Sequence, residues 1–235
     1  MKITKRLFNY FSVAEKTLWI ISVLAIVASF CIFDRTDFVT LSSSLIGVTS
    51  LIFNAKGNPI GQALMIVFSL MYGYISFRFS YYGEMLTYLC MTMPMAVFAL
   101  ISWLKNPFKG NKSEVKVNRI SKLEFVLMMA SAAVVTVVFF FILRKFNTSN
   151  IIPSTISVTT SFIAVYLTFR RSPLFALGYA SNDIVLIVLW VLAMREKTSY
   201  ASVVVCFTAF LANDFYGYLN WKRMEKRQSD EACAE

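Results

Sequence analysis

Tyr179-Ala180-Ser181-Asn182-Asp183-Ile184-Val185-Leu186-Ile187-Val188-Leu189-Trp190 is apolar except for an amide and a carboxylate near its middle. It reads as a helix crossing a bilayer. An ionisable side chain at the centre of a membrane helix costs about 2.5–3.5 kcal/mol on insertion scales. A helix therefore turns such a residue toward a cavity, a partner or a passing solute rather than toward lipid. Asp183 and Trp190 stand seven apart and share one face. The same pair of side chains recurs as Asn213-Asp214. Both helices are expected to line a path for a small polar molecule.

Composition extends this reading to the whole chain. Of 235 residues, 57% are hydrophobic and 15% charged, against roughly 25% charged in soluble domains. An integral membrane protein without a sizeable soluble domain is expected. The net charge of +10 fits loop cations that set topology and meet anionic lipid, so no nucleic-acid partner is expected. With no histidine, a His relay or His metal site is excluded. Cys31, Cys90, Cys206 and Cys233 have no zinc spacing, and no metal or cofactor is expected.

Eight apolar runs follow one another, at 17–33, 38–53, 59–77, 85–104, 125–143, 151–169, 173–194 and 198–220. Lys2, Lys5, Arg6, Phe8, Tyr10 and Phe11 form a basic N-terminal stretch suited to the membrane surface. The second run is rich in Ser and Thr, whose hydroxyls are expected to bond back to the backbone. Pro94 predicts a kink in the fourth run, and Asp34 to Asp37 and Arg78 to Glu84 read as short polar loops. Trp103 and Trp221 read as interface anchors. The longest linker, 105–122, is basic, and the tail from 222 reads as charged and mobile.

Eight spans place loops alternately on two faces. Of the 23 Lys and Arg residues, the face opposite the N-terminus holds only Arg35, Arg78, Arg144, Lys145, Arg195 and Lys197. The positive-inside rule then puts both termini in the cytoplasm.

The chain also repeats. Asn58-Pro59 opens the third run and Trp103 closes the fourth; Ser172-Pro173 opens the seventh and Trp221 closes the eighth. Runs two to four thus echo runs six to eight, and one intervening helix gives both triplets the same orientation. The expected fold is all-α: eight transmembrane helices, an extra first helix plus a 3+1+3 parallel repeat of three-helix bundles, with solute near the midplane between them. The divisions are 1–37, 38–104, 105–150, 151–221 and 222–235.

Several stretches resemble the PnuC family of vitamin-precursor transporters, which has a SWEET-like fold. They are Ala55-Lys56-Gly57-Asn58, Met71-Tyr72-Gly73-Tyr74, Tyr81-Tyr82-Gly83-Glu84, the block from Pro94 to Trp103, and Asn213 through Tyr216-Gly217-Tyr218-Leu219-Asn220-Trp221-Lys222. The resemblance covers almost the entire chain. It implies facilitated diffusion of nicotinamide riboside across a bacterial plasma membrane, trapping by a separate cytosolic kinase, and a homotrimer. It leaves open thiamine, riboflavin or a deoxynucleoside as the solute. The chain departs from the family where an amide is usual near Phe68, a Gln near Ala96, and a Trp pair where Ala176 and Tyr179 stand.

A solute with a flat ring, an amide and ribose hydroxyls needs aromatic faces and a few convergent polar groups. The candidates are Gln62, Ser69 and Tyr72 on the third helix, Met95 on the fourth, Asn182, Asp183 and Trp190 on the seventh, and Asn213 and Tyr216 on the eighth. For each Asn or Gln the competing reading is an interhelical hydrogen bond. For Trp190 it is a packing or interfacial role, and for Met95 packing. Asp214 is expected to pair with Lys56 or Arg170. Two other classes compete with a carrier. An enzyme needs paired acids or a nucleophile–base set, for which two mid-helix carboxylates and no histidine are a poor basis. A scaffold or sensor lacks a soluble domain here. No phosphate-binding loop is present, so ATP is not expected to drive transport.

Overall fold

Helix boundaries follow from local caps. Ser12 accepts from the Glu15 backbone N–H at 3.2 Å while its own N–H donates to the Glu15 carboxylate at 2.7 Å. This capping box starts α1 (Val13–Phe33) four residues before the apolar run begins. The Asp37 side chain caps α2 (Phe38–Ala55) by accepting from the Val39 and Thr40 N–H groups, and Ser121 caps α5 (Lys122–Lys145). The remaining spans are α3 (Ile60–Arg78), α4 (Tyr82–Lys105), α6 (Ile151–Phe169) and α7 (Phe175–Ala193). The last, α8 (Ala201–Cys233), follows a short 3-10 turn. The computed structural model describes residues 10–148, 150–195 and 198–233. Among these, all eight helices are long and apolar enough to cross a membrane. The cations Lys2, Lys5, Arg6 and Lys197, with Phe8, lie outside the described residues.

Near Pro94, where a kink is expected, the helix makes a π-helical turn, Tyr88–Thr92. Proline lacks the N–H that would continue the α ladder. Just before it the register slips, and the Met93 N–H reaches the Tyr88 carbonyl.

Six helices close into a ring. Going round it, α2 packs on α3, α3 on α4, α4 on α6, α6 on α7, α7 on α8, and α8 on α2. In this order α3 faces α7 and α4 faces α8 across the ring. Outside it, α1 lies on α8 and α2, and α5 lies on α6. The α3 start approaches α2 so closely that a Cβ at Gly61 would lie 2.7 Å from the Asn54 backbone nitrogen.

The two triplets are stitched by matching bonds. Trp103, at the end of α4, donates its indole N–H to the Thr168 carbonyl of α6 at 3.0 Å. Trp221, on α8, donates to the Asn54 carbonyl of α2 at 2.7 Å. Those carbonyls also accept the N–H groups of Arg171 and Gly57, two turn residues with positive φ (58° and 65°). Each triplet's last helix therefore caps the first helix of the other, which accords with a parallel repeat. Both tryptophans are fully buried, so they are core residues, not interface anchors.

Two segments differ from the sequence reading. The linker carries a hairpin, Pro107–Phe108 with Asn111–Val115, turned by Lys109 and Gly110 at positive φ. From it the Val115 N–H reaches the Gly57 carbonyl and the Asn118 N–H the Arg171 carbonyl, both at 3.0 Å, so it straps the two equivalent turns. The tail, read as mobile, instead continues α8 as one helix to Cys233. Gln228 donates to the Glu114 carboxylate at 2.8 Å and the Val115 carbonyl at 3.1 Å, and Arg119 pairs with Glu225 at 2.7 Å. Tyr10 also docks on this face, accepting from Asn58 and donating to the Ser113 carbonyl.

Candidate functional site

The ring interior is crossed by two aromatic contacts. On the N-terminal side, Trp103 and Trp221 meet with centroids 5.4 Å apart, and Phe175 packs edge-on against Trp221 at 4.9 Å. On the opposite side, the Trp190 indole N–H donates to the Tyr72 hydroxyl at 2.8 Å. Tyr81, Phe79 and Tyr200 pack around Trp190 at 5.0, 5.9 and 5.5 Å. Tyr72 in turn meets Tyr88 edge-on at 4.4 Å and stacks on Phe68 at 5.6 Å.

Asp183 lies between these barriers. At 1.5 Å per residue along α7 it is about 12 Å from Phe175 and about 10 Å from Trp190. Its carboxyl and that of Asp214 on α8 approach closely enough to act on one another. Asp183 and Asp214 are buried, and Asp183 Oδ2 has no partner. The expected pairing of Asp214 with Lys56 or Arg170 does not form. Lys56 pairs instead with Glu15 at 3.2 Å, and Arg170 with Glu124, because both cations lie at the N-terminal face whereas Asp214 faces the ring interior.

The other candidates divide into two groups. Asn182 accepts from Thr160 at 2.8 Å and Ser161 at 3.0 Å on α6, which fixes it beside Asp183. Ser69 is fully buried, and its hydroxyl has no partner. Tyr72 and Trp190 meet across the ring interior between α3 and α7. Gln62 instead donates to Asn54 at 2.8 Å, knitting α3 to α2. Asn213 donates to Ser22 of α1 at 2.9 Å, and the Tyr216 hydroxyl donates to Glu15 at 3.1 Å. Gln62 and Asn213 make the interhelical bonds weighed as their alternative, as Asn182 does with α6, and Asn213 and Tyr216 hold the extra first helix. Met95 is half-buried on α4.

Two acids escaped the sequence reading. The sequence pairs Asp214 with a cation, which the structure does not. It puts Glu84 in a polar loop, yet Glu84 sits in the first turn of α4, fully buried, with neither carboxylate oxygen partnered. The polar loop 78–84 gave no sign of this burial, since the helix begins inside it.

Residues 37–223 match the family described as nicotinamide mononucleotide transporter. The chain belongs to this family, the PnuC transporters. Similar relatives include the nicotinamide riboside transporter PnuC of Neisseria mucosa, 24% identical over 221 residues, which covers 92% of this chain and 84% of that one. The protein of the same name from Haemophilus influenzae is 22% identical over 206 residues, 81% of this chain and 82% of that one. A crystal structure of the vitamin B3 transporter PnuC superposes with a TM-score of 0.80 at 21% identity, over 93% of this chain and 94% of that one. The PnuC fold is thus shared across nearly the whole length.

Proposed function

We propose that the chain carries nicotinamide riboside, or a closely related vitamin precursor, across the bilayer by facilitated diffusion. The observation that carries this is the Asp183–Asp214 pair, with Asn182 next to it on α7, held between two cross-ring aromatic closures. A solute entering there meets a carboxyl pair with a free oxygen, an amide-bearing wall and aromatic faces. A cationic ring gains from both the acids and the aromatics. Separating the Tyr72–Trp190 contact admits solute from one side, and separating Trp103 from Trp221 releases it to the other. This is alternating access about a fixed site.

The site residues in this reading are Ser69, Tyr72, Asn182, Asp183, Trp190 and Asp214, with Met95 at the wall. Gln62, Asn213 and Tyr216 support them through helix packing. The bias of Lys and Arg supports cytoplasmic termini in a bacterial plasma membrane. A cytosolic kinase would then trap the solute by phosphorylation, and the family resemblance supports a homotrimer.

A second reading, a different vitamin or nucleoside such as thiamine, riboflavin or a deoxynucleoside, is favoured by Phe68. It stacks on Tyr72 where an amide is usual in the family, and buried Ala96 and Ala176 likewise remove polar or stacking groups. The test is counterflow into liposomes holding the purified chain, with labelled nicotinamide riboside, thiamine, riboflavin and a deoxynucleoside. Exchange of nicotinamide riboside alone supports the first reading, and exchange of another solute the second. Exchange of none rejects both.

A further inference from the structure

Glu84 plays no part in the central site, yet it is the most isolated acid in the described structure. It is 0% exposed, and both carboxylate oxygens lack a partner. Its position in the first helical turn suggests a capping residue, but no cap bond is made at that helix start. The adjacent Gly83 is pressed against Leu143, Thr148 and Ser154, which fixes the turn. The start of α4 packs on α6, where the Ser157 hydroxyl is likewise buried and unpartnered. Tyr81, three residues before Glu84, packs on Trp190 at 5.0 Å, and Tyr88, four residues after it, meets Tyr72 edge-on at 4.4 Å; this spacing sets Glu84 on the helix face beside the Tyr72–Trp190 closure. A buried carboxyl without partners costs several kcal/mol if charged. Such a group persists where a ligand supplies the missing partner.

We propose that Glu84, with Ser157 and the rings of Tyr72 and Tyr88, forms a subsite for an organic cation at the closure on the face opposite the termini. The positively charged ring of a pyridinium nucleoside is met there before it passes to the Asp183–Asp214 pair. The aromatic faces and the carboxylate act together on such a ring, whereas an uncharged ring of the same shape gains only the aromatic contact. Glu84 thereby selects for charge, and Asn182 and Ser69 serve the polar groups.

This inference rests on the proposed carriage of nicotinamide riboside, and the experiment separates the two. Binding of nicotinamide riboside, a cation, and of its uncharged dihydro form is measured by calorimetry on the purified full chain and on Glu84→Gln. The substitution is expected to weaken the cation by about tenfold or more and to leave the uncharged form within about twofold. Equal loss for both forms, or no loss for either, overturns the subsite while leaving carriage standing. A wild-type chain that binds neither form overturns both. If Glu84→Gln does not fold, Glu84→Asp is used, which keeps the charge but withdraws it by one methylene. Selective weakening of the cation supports the subsite, and unselective or absent weakening overturns it.

Discussion

The indoles of Trp103 and Trp221 meet across the ring at 5.4 Å, and each caps the first helix of the opposite triplet. The contact joins the two halves at the N-terminal face. It also closes the ring interior there. One pair of side chains thus couples the stability of the fold to access to the site.

Trp103→Phe and Trp221→Phe each delete one hydrogen bond to a buried carbonyl that keeps its turn N–H. Each is expected to lower stability by about 1–2 kcal/mol, and the two losses should be similar. Thermal unfolding in detergent measures this. A marked loss in only one variant would count against the equivalence of the triplets.

Asp183→Ala removes the carboxyl with the free oxygen from the midpoint of α7. Affinity for the transported solute should fall about tenfold or more, with membrane insertion and folding retained. Calorimetry against the wild type reads the change, and unchanged affinity would remove Asp183 from the site. Asp214→Asn can hydrogen-bond Asp183, so it should keep its Tm while slowing counterflow.

Tyr72→Phe removes the acceptor of the Trp190 N–H. The closure opposite the termini then opens more often. Cys206 lines a small void of about 10 Å³ with Tyr72 and Phe207 and is buried. With Cys31, Cys90 and Cys233 replaced by serine, maleimide should label Cys206 several-fold faster in Tyr72→Phe than in the parent. Equal rates would show that the bond does not govern access.

Glu15→Gln leaves Lys56 without its partner and weakens the bond from Tyr216. The first helix should dock less firmly, at a loss of about 1–3 kcal/mol. Hydrogen exchange confined to α1 would report it. Protection unchanged across α1 would mean that Ser22–Asn213 and apolar contacts suffice.

Much of the site was legible as residue types but not as partnerships. Asn182 and Asp183 stand out because an amide and an acid inside an apolar run are costly wherever they point. Which face of α8 carries Asp214 is a matter of helix rotation, and one position separates it from Asn213, which turns to α1 instead. Gln62 and Asn182 have the same chemistry, and each is bonded to a neighbouring helix, Gln62 to Asn54 of α2 and Asn182 to Thr160 and Ser161 of α6. Trp103 and Trp221 stand at the ends of apolar runs, where an interface anchor and a core indole look alike. The PnuC resemblance takes in Trp103, Asn213, Asp214 and Trp221 without saying which neighbours they meet.

The sequence by itself determined that eight helices cross a bilayer and where each begins and ends to within a few residues, with α8 the exception at its C-terminal end. Apolar run length and local caps act over a few residues and need no distant partner. Only the tertiary structure decided that the helices close into a ring, that two acids share its interior, and that Glu84 lies buried rather than in a loop. Those outcomes depend on the rotation of each helix about its own axis, which is set by contacts between residues far apart in the chain.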